Sequence, residues 1–303
     1  MYSRILTALD GSKLSERILP CARFFSGGLK LPVELLVVID PETLMASETG
    51  DNRRRETLLA ERKKTAASYL KNIAGTFPAG LRVDCAVEVG KPAEVIADRA
   101  ATDIATLIAI GTHGRSGVQR WLLGSVADKV LHAARNPLLL VRTTEETQSI
   151  ETAALKSILV PLDGSELAES VLPHATELSK KMNLEIVLVR IFNLPTTYYD
   201  EGYVADERVW ELIRDEAQDY LDRKVEQLKN EGVARVTSVL LEGFAAERII
   251  ALAQETPENL IAICTHGRSG VRRFVLGSIA DRVVRHSGDP VLVIRAPGAP
   301  SGT

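Results

Sequence analysis

Two predicted strand ends in the first half of the chain carry residues whose types and spacing suit phosphate binding. One strand ends in Asp10-Gly11-Ser12, and another ends in Gly111-Thr112-His113-Gly114. After nine further residues, Gly124-Ser125 opens a predicted helix, where unpaired amides and the helix dipole favour an anion. Glycine at positions 111 and 114 lets the backbone turn sharply and lets a ligand approach its amides. The pattern predicts a phosphate-binding loop, with Asp10 beside it to bind a ribose hydroxyl, an adenine amine or a metal ion.

Each of these signals also has a plainer interpretation. Gly-Ser before a helix is commonly only a helix cap, and Asp-Gly after a strand is commonly only a turn. Ser125 therefore either caps its helix or donates its hydroxyl to a phosphate oxygen. The combination of both signals at two strand ends favours a binding site over either structural role alone.

The same residues occur a second time along the chain. Asp163-Gly164-Ser165 repeats positions 10–12 at an offset of 153, and the same offset relates Gly114 to Gly267 and Gly124-Ser125 to Gly277-Ser278. Solenoid repeats are about 20–50 residues long, so a repeat of this length is a whole domain. We expect two domains, residues 1–145 and 154–297, joined by a polar linker at 143–149.

Apolar patterns that alternate between strand and helix fill each half. Strands are predicted at Arg4–Leu9, Val33–Ile39, Arg82–Val89, Thr106–Ile110 and Leu138–Arg142, and helices at Ser15–Ser26, Thr57–Ile73, Ala93–Ala101 and from Ser125. The stretch Pro41–Arg55 is predicted to be a surface loop or a cover over the site. This alternation predicts two doubly wound α/β domains with parallel sheets. Ligands of such sheets bind at the carboxyl ends of the strands, near the switch in strand order.

Composition excludes several classes of protein. With 45% hydrophobic residues and a net charge of −3, the chain is neither disordered nor basic enough for a nucleic-acid binder. Apolar runs such as Leu35–Ile39 fall far short of the ~18 residues that span a bilayer. The three cysteines form no CxxC pair, and the first residues contain no apolar signal segment. We therefore expect a cytoplasmic protein with reduced thiols and with neither nucleic acid nor membrane as a partner.

The spacing Gly111-x2-Gly114-x9-Gly124-Ser125, with Asp10 at the end of the first strand, resembles the nucleotide-binding members of the universal stress protein family. Their motif is G-x2-G-x9-G-(S/T), and the resemblance covers both halves. It implies a five-stranded parallel sheet with helices on both faces, a Rossmann-like fold of the adenine nucleotide alpha hydrolase type. It also implies bound ATP with magnesium or manganese on its phosphates. The residues implied to hold ATP are Asp10, the backbone around Val38 or Ile39, and Gly111, Gly114, Gly124, Ser125 and Val126.

The second half departs from this motif at one position. Cys264 stands where the first half has Gly111, so the motif reads Cys264-x2-Gly267-x9-Gly277-Ser278, with Asp163 retained. A Cβ at that position restricts the backbone and crowds a ribose, so we expect a second site that binds more weakly. Arg190-Ile191 replaces Val38-Ile39 at the predicted end of the second strand, a change that a backbone contact to adenine would tolerate.

A regulatory binding module of the stress response is the function that the resemblance implies. Gly90-Lys91 is followed by Pro92, so the chain has no G-x-x-x-x-G-K-(S/T) loop, and we expect little ATP turnover. Two alternatives are a slow ATP-hydrolysing enzyme and a structural pseudo-dimer with empty sites. Members of this family dimerise, often through the last strand. The resemblance therefore implies that Leu138–Arg142 meets Val291–Arg295 within the chain, with a homodimer as a further possibility.

Overall fold

The computed structural model of the protein describes residues 1–46, 52–112, 123–142, 154–193, 207–265 and 276–295. The chain divides into two compact units between residues 154 and 155, called unit 1 and unit 2 below. None of the helices in the described ranges is both long enough and apolar enough to span a membrane.

Unit 1 alternates strands and helices along its whole length. Its strands are β1 (Arg4–Leu9), β2 (Val33–Ile39), β3 (Val83–Val89), β4 (Thr106–Gly111) and β5 (Leu138–Val141). Its helices are α1 (Leu19–Leu29), α2 (Pro41–Ala46), α3 (Asn52–Ala74), α4 (Pro92–Ala101) and α5 (Ser125–Ala133), and a 3₁₀ turn at Ser15–Ile18 precedes α1.

Unit 2 has the same order of elements. Its strands are β6 (Ser157–Pro161), β7 (Glu185–Phe192), β8 (Val236–Glu242), β9 (Asn259–Cys264) and β10 (Val291–Ile294). Its helices are α6 (Glu166–Glu169), α7 (Leu172–Met182), α8 (Glu207–Asn230), α9 (Ala245–Glu255) and α10 (Ser278–His286).

Both units contain a five-stranded parallel sheet, as predicted. The strand order is β3-β2-β1-β4-β5 in unit 1 and β8-β7-β6-β9-β10 in unit 2. In unit 1 the connections reverse direction between β1 and β4, which is where doubly wound sheets open a crevice for ligands. The central strands are fully buried at Ile5, Leu6, Leu107 and Ile108, because helices cover both faces of such a sheet.

Two predicted elements differ in the structure. The stretch Pro41–Arg55, predicted as a loop, contains helix α2 and the beginning of α3 at Asn52. Arginine is a good helix former, so the charged run Arg53–Arg55 begins the helix instead of preceding it. The predicted helix Ser15–Ser26 is divided into a 3₁₀ turn and α1. Pro20 lies in the first turn of α1, because a residue without an N–H is tolerated only where no helical hydrogen bond is lost.

Candidate functional site

A cavity of about 300 Å³ lies at the carboxyl ends of the strands of unit 1. The ends of β1, β2 and β4 and the first turns of α4 and α5 surround it, so it occupies the switch point between β1 and β4. Its lining residues are Ala8, Leu9, Asp10, Ser15, Leu36, Val38, Pro92, Ile96, Ile110, Gly111, Gly124, Ser125, Val126 and Ala127.

Most of the residues predicted for the site in unit 1 lie together around this cavity. Those that line it are Asp10, Val38, Gly111, Gly124, Ser125 and Val126. Ile39 is not among the lining residues, and its carbonyl oxygen accepts the N–H of Gly90 at 3.0 Å. Gly114 lies outside the described residues. Residues far apart in sequence are therefore brought to one place, at the position that the strand ends predicted.

The Asp10 side chain is held in place by the turn that follows β1. Its Oδ1 accepts the backbone N–H of Ser12 at 2.8 Å, and Gly11 takes a φ of 82°, which a residue with a side chain rarely adopts. The Ser15 hydroxyl accepts the N–H of Asp10 at 3.3 Å and donates to the carbonyl of Ser12 at 2.9 Å. Ser15 is buried and lines the cavity. Sequence reasoning missed it, because a serine opening a helical segment looks like an ordinary cap.

The N-terminus of α5 forms another part of the cavity wall, close to the end of β4, since the Gly124 N–H donates to the Thr112 carbonyl. Gly124 is the N-cap residue with φ −56° and ψ 142°, and no side chain caps the helix. The interpretation of Ser125 as the cap is therefore wrong, because Ser125 is the first helical residue. The first amides of a helix have no partner within it, and Ser125 and Val126 line the cavity. Such a helix end attracts anions.

The turn between β3 and α4 supplies an apolar wall. Pro92 and Ile96 line the cavity opposite Leu36 and Val38 of β2. Gly90 has a φ of 155°, and a Cβ there would lie 2.9 Å from Cγ2 of Val95, so this tight turn requires glycine. Sequence reasoning treated this segment only as a failed phosphate loop. The proline that opens α4 after a glycine turn was the available signal for a wall beside the strand ends.

The lining is mostly apolar, and Asp10 carries the one charged side chain among the described residues that line the cavity. The hydroxyl of Tyr69 lies near Ser15 and Glu16, in the segment that follows β1. Burial and the neighbouring carboxylate of Glu16 raise the pKa of the Tyr69 hydroxyl, so the phenol stays neutral. The negative charge of Asp10 and the N-terminus of α5 therefore border the same mostly apolar cavity.

Unit 2 repeats the backbone geometry of both motif segments. Asp163 Oδ1 accepts the N–H of Ser165 at 2.9 Å and its hydroxyl at 2.6 Å, and Gly164 has a φ of 85°. Gly277 is the N-cap of α10 with φ −57° and ψ 144°, again without a side-chain cap, and Ser278 is the first helical residue. Gly267 lies outside the described residues.

Cys264 ends strand β9 at the position that Gly111 has in unit 1. The Cys264 side chain is buried, and its Sγ accepts a hydrogen bond from the Ser170 hydroxyl at 3.2 Å. The thiol thus contacts Ser170, the residue that follows α6. The end of β9 therefore carries a side chain, whereas the end of β4 in unit 1 is Gly111. Weaker ligand binding in unit 2 stays a prediction.

The predicted counterparts of Val38 and Ile39 are wrong by one residue. The ladder of β6 and β7 pairs Pro161 with Val189, as β1 and β2 pair Ala8 with Leu36. Ile191 and Phe192 therefore correspond to Val38 and Ile39, and Arg190 corresponds to Val37.

Arg190 is a buried residue within β7, not the residue that ends the strand. Its guanidinium lies 4.5 Å from the centre of the Tyr220 ring, a cation–π contact that helps to offset the cost of burying the charge.

No group of three or more His, Cys, Asp or Glu side chains is arranged to hold a metal ion in the part of the chain that the structure describes. A divalent cation at the cavity would therefore depend on ligands from a bound molecule as well as from the protein.

Comparison with known proteins gives consistent matches in sequence and fold. The model of the universal stress protein family matches residues 1–142 and again 154–295. A universal stress protein of Methanocaldococcus jannaschii is 30% identical over 142 residues, which are 47% of this chain and 83% of that protein.

Solved structures resemble the full length of the chain. A universal stress protein from Archaeoglobus fulgidus has a TM-score of 0.70 at 21% identity, covering 96% of this chain and 98% of its own. A functionally unknown protein from Pseudomonas aeruginosa has a TM-score of 0.65 at 17% identity, with 97% and 93% covered. At these identities the likeness shows a shared fold.

Proposed function

The chain belongs to the universal stress protein family, and we propose that unit 1 binds ATP and acts as a nucleotide-dependent regulatory module of a stress response, not as an enzyme. The observation that carries the proposal is the cavity at the switch point. Six residues predicted from sequence line it, and they come from three strands and a helix N-terminus. A strand-end crevice with apolar walls and few polar groups is the usual form of a nucleotide site.

Each part of ATP has a counterpart in the cavity lining. The apolar walls formed by Leu36, Val38, Pro92 and Ile96 suit the faces of an adenine ring. The Asp10 carboxylate is a hydrogen-bond acceptor for ribose hydroxyls. The amides that begin α5 suit phosphate oxygens. In this arrangement the base and the phosphates lie at opposite ends of one slot, with the ribose at Asp10.

Magnesium or manganese would accompany the phosphates. Such cations keep several waters and take one or two carboxylates together with substrate phosphates. Asp10 is the carboxylate that lines the cavity, and when bound the ion would neutralise part of the phosphate charge. This fits a site whose described lining contains no lysine or arginine.

Efficient hydrolysis is not part of the proposal. Phosphoryl transfer relies on cationic groups that stabilise the transferring phosphate and on a group that orients the attacking water. Lys91, which follows Gly90, is 61% exposed and pairs with Glu94 at 3.9 Å, outside the set of cavity-lining residues. The site is thus equipped to hold a nucleotide and to signal its presence.

Ligand identity is tested on the full chain by native mass spectrometry, followed by calorimetric titration of the ligand-stripped protein with ATP and magnesium. We expect ATP or ADP to be released from the purified protein, and ATP to bind with a stoichiometry of at least one. A protein that releases no nucleotide and binds no ATP would refute the proposal and favour the structural pseudo-dimer. A phosphate burst that accompanies binding would favour the slow ATP-hydrolysing enzyme.

A further inference from the structure

Four charged residues of unit 1 form an ion cluster beneath the cavity. Glu34 of β2, whose side chain is 9% exposed, pairs with Arg4 of β1 at 2.7 Å and with Arg99 of α4. Arg99 Nη1 also pairs with Glu88 Oε1 of β3 at 2.8 Å. These four residues join three strands to one helix, and Arg99 is the residue through which α4 takes part.

Arg4 also fixes the C-terminal end of α4. Its Nη2 donates to the carbonyl of Arg99 at 2.8 Å and to the hydroxyl of Thr102 at 3.0 Å. Carbonyls at the end of a helix lack partners within the helix and favour a cation. The position of α4 on the sheet is therefore set at its C-terminal end by directional, charge-assisted hydrogen bonds.

The other end of α4 is the wall of the cavity. Pro92 and Ile96 line the cavity, and Arg99 follows Ile96 by three residues, which places it on the same face of the helix. Along β2, Glu34, Leu36 and Val38 alternate and so also share one face. Helix and strand thus face each other, with Pro92 at the cavity and Arg99 about 10 Å away along the helix axis. The ion cluster fixes the C-terminal end of α4, and the hydrogen bond from Gly90 N–H to the Ile39 carbonyl at 3.0 Å fixes the turn that enters it, so the two together set the height of the first turn above β2.

Unit 2 carries no such cluster at the equivalent positions. The strand registers match Glu34 with Val187 and Glu88 with Leu241, and the offset of 153 matches Arg4 with Ser157 and Arg99 with Leu252. Unit 2 therefore forms the same fold with small or apolar residues at these four positions, so the fold does not require the ion pairs. The ion cluster therefore occurs only in unit 1, which is also the unit that has glycine at position 111 of the motif, where unit 2 has Cys264.

We propose that Arg99 and Glu34 are positioning residues of the nucleotide site, which set the distance from Pro92 and Ile96 to Val38 and so the width of the slot for the adenine ring. This inference rests on the proposed function of unit 1. Under this proposal Arg99 and Glu34 do not contact the ligand, yet they determine how tightly the adenine base is bound.

The test uses the full chain with Glu34→Val and Arg99→Leu together, because this removes the most buried charge, Glu34, with its partner on α4 and takes ion-pair partners only from Arg4 and Glu88, whose side chains are 26% and 44% exposed. Valine and leucine are the residues that unit 2 has at the two substituted positions. We expect ATP affinity to fall about tenfold, the order seen when groups that orient a binding residue are lost. The matched control is Arg82→Leu with Asp84→Val, which removes an ion pair of 2.9 Å between side chains 78% and 53% exposed. It should leave ATP affinity unchanged.

A double-mutant cycle separates positioning from a general structural role. Ile96→Ala is measured in the wild type and in the Glu34→Val, Arg99→Leu variant. If the ion cluster acts through Ile96, the loss caused by Ile96→Ala will be at least about threefold smaller in the variant. Additive losses, or an affinity of the variant equal to that of the wild type, would overturn the inference while leaving the proposed function intact. A wild-type protein that binds no ATP would remove both.

Thermal unfolding confirms that each variant is folded at the assay temperature. Should the double variant unfold there, Glu88→Leu removes only the outer contact of Arg99, at a side chain 44% exposed. We expect it to weaken ATP binding about two- to threefold and to couple with Ile96→Ala in the same direction. Wild-type affinity in Glu88→Leu would count against the proposal.

Discussion

The carboxylate of Asp10 accepts the backbone N–H of Ser12 across 2.8 Å, so the side chain proposed to bind the ribose also holds the turn that ends β1. Asp163 and Ser165 repeat this contact at 2.9 Å in unit 2. A substitution that deletes the side chain therefore removes two interactions at once. Its effect on binding can be interpreted only beside a variant that keeps the turn.

Asp10→Asn separates the two roles. The amide oxygen of asparagine still accepts the Ser12 N–H, since asparagine forms the same turn, but the negative charge is lost. We expect ATP affinity to fall about tenfold, because hydrogen bonds to charged groups contribute about 1.5–3 kcal/mol. The melting temperature should stay close to that of the wild type. Asp10→Ala should lose both affinity and stability. Calorimetric titration and thermal unfolding of both variants measure this, and wild-type affinity in both would exclude Asp10 from the site.

Exchanging residues between the two strand ends tests the role of glycine at position 111. Gly111→Cys gives unit 1 the residue of unit 2, and we expect weaker ATP binding because a Cβ enters the cavity wall. Cys264→Gly should raise the measured stoichiometry towards two. Cys264→Ala, which keeps the Cβ and removes the thiol, is the matched control and should behave as the wild type. Titrations that do not distinguish the three variants from the wild type would show that this position has no influence on binding.

ATP turnover should be far below the rate of a kinase. Kinases turn over at about 1–100 per second, and the described lining of the cavity offers no cation to stabilise the transferring phosphate. A phosphate-release assay with saturating ATP and magnesium measures the rate, and an Asp10→Asn sample controls for contaminating hydrolases. A rate in the kinase range that falls in Asp10→Asn would identify the protein as an enzyme.

Asp289, two residues before β10, should make unit 2 more stable in mild acid. Burial raises the pKa of Asp289 from 3.8 to about 6. The folded unit therefore binds this proton more tightly than the unfolded chain. The resulting stabilisation is complete below pH 3.8 and is lost as the pH rises through 6. The equivalent residue of unit 1 is Asn136, so Asp289→Asn is a substitution that the fold already contains.

The measurement is the melting temperature of wild type and Asp289→Asn between pH 5 and pH 8. We expect the variant to melt a few degrees higher at pH 8 and the difference to shrink towards pH 5. Asn136→Asp is the reciprocal variant. Its carboxylate cannot make the hydrogen bonds that the Asn136 amide donates to the carbonyls of Ala100 and Asp103 at 3.1 and 2.8 Å, so it should destabilise unit 1 increasingly as the pH rises. A difference that is constant across this range would show that Asp289 titrates at its ordinary pKa in the folded protein.

The parts of the fold that the sequence predicted correctly are those with strong apolar patterns. Strand β2 has the predicted bounds, Val33–Ile39, because a short continuous apolar run bounded by turn residues indicates a buried strand. Helix α3 begins five residues before its predicted start at Thr57, since the charged residues Arg53–Glu56 carry no apolar periodicity. The glycine and aspartate positions of the site were predictable because their conformations require particular residue types.

Other parts of the site depend on packing that the sequence does not record. Pro92 and Ile96 look like ordinary core positions of a helix, and only the folded structure shows that a cavity lies beneath them. The prediction that Arg190-Ile191 matches Val38-Ile39 departs from the repeat offset of 153, which matches Val38 with Ile191 and Ile39 with Phe192. What the sequence does not record is the Tyr220 ring, which lies 4.5 Å from the guanidinium of Arg190, a residue buried within β7.

The ion cluster of unit 1 also has a consequence for folding. Because both units have the same topology, a strand of one unit can pair with the sheet of the other during folding. Mis-assembly between repeats is a characteristic failure of such proteins. If β2 entered the sheet of unit 2 in place of β7, Glu34 would meet Ser157 and Leu252 and would be left without a cation. Burying a charge whose partner is missing costs about 3–5 kcal/mol. The divergence of these positions between the repeats therefore disfavours β2 in the sheet of unit 2.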